Sequence, residues 1–305
     1  MDKKNRISAV VFLVFILAIS LITGCKSGTK PHKEDEEVKL PENITEIKQD
    51  IDQAKRIFNA LPSPLESAML IKSAGAQFNE KLLNPVSKQN IYVTSKAMAL
   101  NLGVYTCDLS FASLYEQTQL LIDYMNAAKK MADGLGILKA IEQEDIDKLE
   151  ENINNSEVIM DVVSQTFMNS NSYLEDNGQP ATAATVLVGG WIEGLFISTQ
   201  LIDMKEFDGN KLVGRIIDQK LSIDILIDLL NGSKGVPSVD ELIVQVTKLK
   251  TVFDKIKLTT GNVRTEYDQA SNTTLLKSEV TTDMTPEIFM ELSKIVAEIR
   301  NSFVN

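Results

Sequence analysis

Histidine is almost missing from this chain of 305 residues: there is one, His32, in a stretch with no apolar periodicity. A folded part without histidine has no Ser–His or Cys–His nucleophile pair, and no histidine-ligated zinc or haem. Cysteine is as scarce. Neither Cys25 nor Cys107 belongs to a cluster of the kind that holds zinc or iron–sulfur. Cys107 lies within the apolar Leu102–Phe111, which suits a small buried hydrophobe better than a reactive thiolate. Aromatic residues make up 6% of the chain, with a single tryptophan, Trp191, which argues against a carbohydrate site of stacked rings. No Walker-type phosphate loop occurs. The expectation is a chain that is not an enzyme and carries no cofactor; only Ser–Lys and carboxylate-pair chemistry survive the filter.

What is present begins with a basic start, Met1-Asp2-Lys3-Lys4-Asn5-Arg6, an apolar run from Ile7 to Thr23, and then Gly24-Cys25. That run is short for a membrane span, and its basic flank and small terminal residues are those of an export signal. The run Leu21-Ile22-Thr23-Gly24-Cys25 resembles the lipobox of bacterial lipoproteins. The resemblance implies diacylglycerol on Cys25, cleavage before it, and acylation of the new amine by a fatty acid such as palmitate. Residues 1–24 are then a signal peptide, and several acyl chains on Cys25 make the membrane a near-permanent partner. Residues 25–40 read as a solvated tether with the acidic block Glu34-Asp35-Glu36-Glu37. The expected location is the cell envelope, at the outer membrane, with its periplasmic and surface-facing sides both open. Removing Asp2, Lys3, Lys4 and Arg6 from totals of 31 basic and 42 acidic residues leaves 28 against 41, a net charge of −13. Such a surface repels nucleic acid.

From Pro41 to Asn305 the texture is helical, and the expectation is one all-α, bundle-like domain of about seven or eight helices. Asn43–Ala60 repeats Ile44, Ile47, Ile51, Ala54 and Ile57 at spacings of three and four. Pro62 and Pro64 start a short helix through Ala74. Ile91–Met131 reads as the longest helix, bent at Gly103 and stopped by Gly134 and Gly136. Helices over Val158–Leu174, Ala181–Ile202 and Leu212–Leu230 follow. Ser238-Val239-Asp240-Glu241 has the pattern of a capping box. After it, Val239, Leu242, Val246, Leu249, Phe253 and Ile256 form a heptad-like seam for a neighbouring helix of the same chain. Between 262 and 282 an alternation through Thr265 and Tyr267, and then Thr274 and Leu276, fits either a small β-hairpin or a long polar loop. Thr285-Pro286 opens a last helix buried along Ile288, Leu292, Ile295, Ile299 and Phe303.

Two acids stand in apolar company: Asp108 beside Cys107 and Leu109, and Glu193 beside Ile192 and Gly194. Asn101, Tyr105, Asp108, Tyr115 and Gln119 recur at helical spacing. Together with Trp191 and Glu193 they form a candidate ligand-lining set or, the preferred reading, a structural polar network between helices. Gly190 and Gly194, one turn apart, let a second helix approach closely. The acidic run Glu142–Glu151 reads as a solvated helix face rather than a metal site, and Gly178 and Gly209 do not sit in calcium loops. The runs Val104–Ser110 and Gly189–Leu195 are similar to segments of uncharacterised helical lipoproteins of Gram-negative envelopes, a resemblance that implies a helical fold and an envelope location and no activity.

Three functions follow as expectations. The first is a tethered, non-catalytic helical module that binds a protein partner or a ligand. The second is a hydrolase or lyase working through Asp108 and Glu193, and the third a carrier of a small apolar ligand.

Overall fold

A computed structural model describes residues 61–140, 143–152, 155–260, 264–268, 273–277 and 280–305. The expected signal peptide, Cys25, the expected tether and the helix expected over Asn43–Ala60 lie outside the described residues. What is described is an all-α bundle with two short antiparallel strand pairs. Among the described residues there are nine α-helices: α1 Pro64–Ser73, α2 Ser95–Leu114, α3 Thr118–Gly134, α4 Gln143–Glu151, α5 Ser156–Asp176, α6 Pro180–Gln200, α7 Lys211–Asn231, α8 Pro237–Phe253 and α9 Pro286–Val304.

Two of these helices have no solvent face over most of their length. Every residue from Ala99 to Leu114 in α2 and from Ala183 to Leu195 in α6 is buried. A helix that is apolar on all sides belongs in the middle of a bundle. Among the described residues α6 alone is long and apolar enough to cross a membrane, yet 78% of that stretch is buried inside the body, so it serves as a core helix. Glycines let the two central helices touch backbone to backbone. A Cβ added to Gly103 would come within 2.1 Å of the Val186 carbonyl oxygen, and one on Gly189 within 2.1 Å of that of Leu100. Gly190 abuts Gly103 and Pro64, while Gly194 abuts Ser67 of α1.

Gly103 is therefore a contact point inside a continuous helix and not a bend. The long helix expected over Ile91–Met131 instead breaks at Tyr115-Glu116-Gln117. Glu116 adopts φ +58°, and the backbone N–H groups of Glu116 and Gln117 donate to the carbonyls of Ser113 and Ala112. That is a Schellman ending, with glutamate where glycine usually sits. This break divides one expected helix into two, α2 and α3.

The helix ends mostly follow local chemistry. Ser63 and Glu66 form a reciprocal capping box at α1, and Thr285 caps α9, with Pro286 at its first position. The box expected at Ser238 and Glu241 does not form. Pro237 takes the first helical position of α8, so Val236 is the cap and the Asp240 carboxylate accepts the Gly235 N–H instead. The seam on α8 is buried throughout, from Val239 to Ile256, and packs on α7 and α9 of the same chain. Between α8 and α9 the backbone forms nested antiparallel pairs. Leu258–Thr260 pairs with Val280–Thr282, and Arg264–Asp268 with Thr273–Lys277. The hairpin reading of this segment holds.

A methyl group at Gly103 or Gly189 has only backbone to displace, so Gly103→Ala and Gly189→Ala should each lower stability by about 2–3 kcal/mol. Gly214, exposed on α7 with nothing within 4 Å of an added Cβ, is the control. Gly214→Ala should raise stability by about 0.5–1 kcal/mol through helix propensity. Urea unfolding of the three variants checks this; equal shifts would sink the close-packing account.

Candidate functional site

Glu193 of α6 and Arg300 of α9 meet in the core. Arg300 donates from Nε to Glu193 Oε2 at 2.9 Å and from Nη2 to Oε1 at 3.0 Å. Nη2 also reaches the Leu82 carbonyl at 3.2 Å, and the guanidinium lies 4.7 Å from the centre of the Phe196 ring. Glu193 is fully buried and Arg300 is 7% exposed. The planar fork of arginine matches a carboxylate with two parallel bonds, the geometry that best offsets desolvation of both charges.

Asp108 of α2 completes the group. It is fully buried, its Oδ2 accepts the Asn84 backbone N–H at 3.0 Å, and its carboxyl is in hydrogen-bond contact with that of Glu193. Two carboxylates cannot bond without a proton between them. Burial, above all, and then the charge of Glu193 push the Asp108 carboxyl well above the usual carboxylate range, against the opposing pull of Arg300. Asp108 is thus the protonated partner. Its Oδ1 has no other hydrogen-bond partner, so a proton held on the carboxyl has Glu193 as its neighbouring acceptor. Burial also raises Glu193, while Arg300 lowers it. The group balances as one cation, one anion and one neutral acid.

The network runs on to the end of α9. Asn84 Nδ2 donates to Asn101 Oδ1 and to Tyr92 Oη, both at 3.0 Å. Asn101 Nδ2 donates to the Phe303 carbonyl at 2.9 Å, and Tyr92 Oη to the Val304 carbonyl at 3.2 Å. These side chains satisfy the carbonyls that a helix C-terminus leaves without intrahelical partners. Tyr105 borders the network, donating to the Pro85 carbonyl at 3.3 Å with its ring 6.1 Å from that of Tyr92.

Of the residues singled out in the sequence, Asn101, Tyr105, Asp108 and Glu193 come together. Tyr115, Gln119 and Trp191 do not. The break after Leu114 takes Tyr115 to the Ala76 carbonyl and Gln119 to Asp123 at the surface. Trp191 donates to Gln219 of α7 at 3.1 Å. The partners that sequence reasoning missed are Asn84, Tyr92 and Arg300. Arg300 carried a signal, as a lone cation one turn from Val296 and Val304 on an apolar face; Asn84 and Tyr92, in short turns, carried none.

Cys107 is buried, and burial together with the two neighbouring acids pushes its thiol up, which leaves it unreactive at neutral pH. On α4, Ile146 and Leu149 turn inward while Glu144 pairs with Lys148 at 2.9 Å on the outside. Among the described residues no three acidic, cysteine or histidine side chains are placed to hold a metal ion.

A separate cleft, with a cavity volume of about 100 Å³, opens to solvent between α2, α3, α4, α5 and α6. Its walls are largely aliphatic, among them Leu102, Leu109, Val163 and Val186, with one ring, Phe167, and with polar groups that include Lys129. Neither Asp108 nor Glu193 lines it. No protein-family model, curated protein or solved structure matches this chain.

Because the Asp108 carboxyl is raised on folding, the folded protein binds a proton that the unfolded chain releases near pH 4. That contribution to stability is full below the unfolded value and is lost as pH rises through the folded one. Asp108→Asn, which mimics the neutral acid, should remove this pH dependence and leave stability at pH 7 unchanged or higher. Glu193→Gln strands the buried guanidinium and should cost about 3–5 kcal/mol. Urea titrations between pH 4 and pH 9 check both. A large loss for Asp108→Asn at pH 7 would mean that Asp108 is ionised.

Proposed function

We propose that this chain is a lipid-anchored envelope protein whose helical body is a non-catalytic binding module. One observation carries the non-catalytic part: the two acids best suited to chemistry are fully buried and are spent on each other, on Arg300 and on the Asn84 backbone. A hydrolase or lyase needs its acid and base within hydrogen-bond reach of a substrate. Here Glu193 is held at both oxygens by Arg300, and replacing that bond would leave a guanidinium unpaired in the core. The binding part draws on the cleft beside α2, whose lining is largely aliphatic with a few polar groups, the character of small-molecule sites. The anchor draws on the lipobox-like Leu21–Cys25 and on the polar, acidic stretch that follows it.

Expression of the full chain in a Gram-negative host with an alkyne-tagged palmitate tests the anchor. The protein should take up the tag and fractionate with membranes, and Cys25→Ser should abolish both. Retention of Cys25→Ser in the membrane through an uncleaved apolar segment would overturn the lipoprotein reading.

A further inference from the structure

The apolar cleft has a cover and a polar spot. Its cover is α4, a nine-residue helix that packs chiefly on α5. Only Ile146 and Leu149 of its described side chains are buried, and both line the cleft. A short helix held by two aliphatic side chains opens at small cost compared with the central helices. Its outer face carries Glu144, Asp147 and Glu151, which keeps the cover soluble whether it is shut or displaced.

The polar spot comes from α5. Thr166 and Asn171 line the cleft, and both Thr166 Oγ1 and Asn171 Oδ1 are shielded from water without a hydrogen-bond partner. The orientation of Asn171 is set by its Nδ2, which donates to Glu175 at 3.2 Å; the oxygen turned the other way is an acceptor with nothing to accept. Thr166 offers a hydroxyl that donates or accepts. Buried polar atoms left this way are destabilising; of the five such side-chain atoms among the described residues, these two are the ones whose residues line the cleft.

We infer that the cleft beneath α4 holds the chain of a single-chain amphiphile, with the hydroxyl or amide of its head group placed between Thr166 and Asn171. The walls select an aliphatic chain, since Phe167 is their one aromatic ring. The asparagine oxygen selects a head that donates a hydrogen bond, and the threonine hydroxyl selects one that also accepts. A neutral hydroxyl or amide does both; a carboxylate head would set charge against the Asn171 oxygen, and Lys129 of α3, exposed at the edge of the lining, is the group that would favour one. The ligand enters as the α4 cover parts from α5, which brings both oxygens within its reach. The inference rests on the binding-module reading and names its ligand class.

The test uses the full-length protein in intact cells, fed either a monoacylglycerol with a mid-chain diazirine or the matching diazirine alkane without a head group. After irradiation the labelled peptides are mapped by mass spectrometry. Label from the monoacylglycerol should concentrate on α2 and α5. Thr166→Val with Asn171→Leu keeps the cleft apolar, and should cut that label about tenfold relative to the alkane. Val163→Trp, which fills the cleft, should remove label from both probes. Because a filled core strains the fold, Thr166→Val alone serves as the milder variant, expected to give a smaller loss in the same direction. Equal labelling with and without Thr166 and Asn171 would overturn the head-group assignment. Absence of label on α2 and α5, as when a protein segment or a second copy occupies the cleft, would overturn the inference. Concentrated label elsewhere on the body would do the same while leaving the binding-module reading intact. Palmitate labelling at Cys25 reports on the anchor independently of every one of these outcomes.

Discussion

A carboxylate and a guanidinium taken out of water separately would each cost several kcal/mol, and this core contains both. Glu193 and Arg300 are tolerable inside only because they meet at both oxygens. Much else follows from that requirement. Arg300 must reach inward from α9, so α9 must lie against α6 along its buried face. Asp108, brought alongside by the contact of α2 with α6, must be neutral, because a second anion would unbalance the pair. The turn that contains Asn84 must then sit where its N–H meets the Asp108 oxygen. Replacement of such a group by apolar residues of equal volume is often harmless to stability in other proteins. What the polar group adds here is geometry, since each partner accepts only one placement of the helix that bears it.

The glycines act on the same helices by the opposite means. Gly103, Gly189 and Gly190 remove side chains so that α2 and α6 share backbone contact. The price is paid in helix propensity, about 1 kcal/mol for each glycine in a helix interior. The gain is dispersion contact along two helices that are buried on every face. It also brings residues 108 and 193 close enough to share a proton. The glycine contact and the acid pair are therefore two parts of one interface. Loosening the first would separate the second.

Much of this architecture was legible in the sequence. The helices over Pro64–Ser73, Pro180–Gln200, Lys211–Asn231 and Pro286–Val304 follow from proline, asparagine and glycine boundaries and from apolar spacing. The two buried acids were legible too, because a charge inside a run such as Gly189–Leu195 has few explanations. The break at Glu116 was not legible, as only tertiary packing holds a glutamate in the left-handed region. The Ser238 box failed because Pro237 competes for the same turn and starts the helix first. That Asp108 and Glu193 meet depends on the register of α2 against α6, which no local pattern states. The cleft was invisible for the same reason: its lining comes from five helices, each of which presents ordinary core residues.

The residues that tie α9 into the core are remote along the chain. Arg300 bonds Glu193 across 107 positions and Leu82 across 218, and Asn101 bonds the Phe303 carbonyl across 202. Contacts of such separation are slow to form, because the chain closes large loops before they reward it. The central pair α2 and α6 can therefore assemble early, but with Glu193 uncompensated and inclined to hold a proton, as a half-buried acid does. Arrival of α9 supplies the cation, releases that proton and closes the end of the bundle. Without the contacts of α9 the buried charges are uncompensated, so the bundle is fixed as one unit by residues distant in sequence.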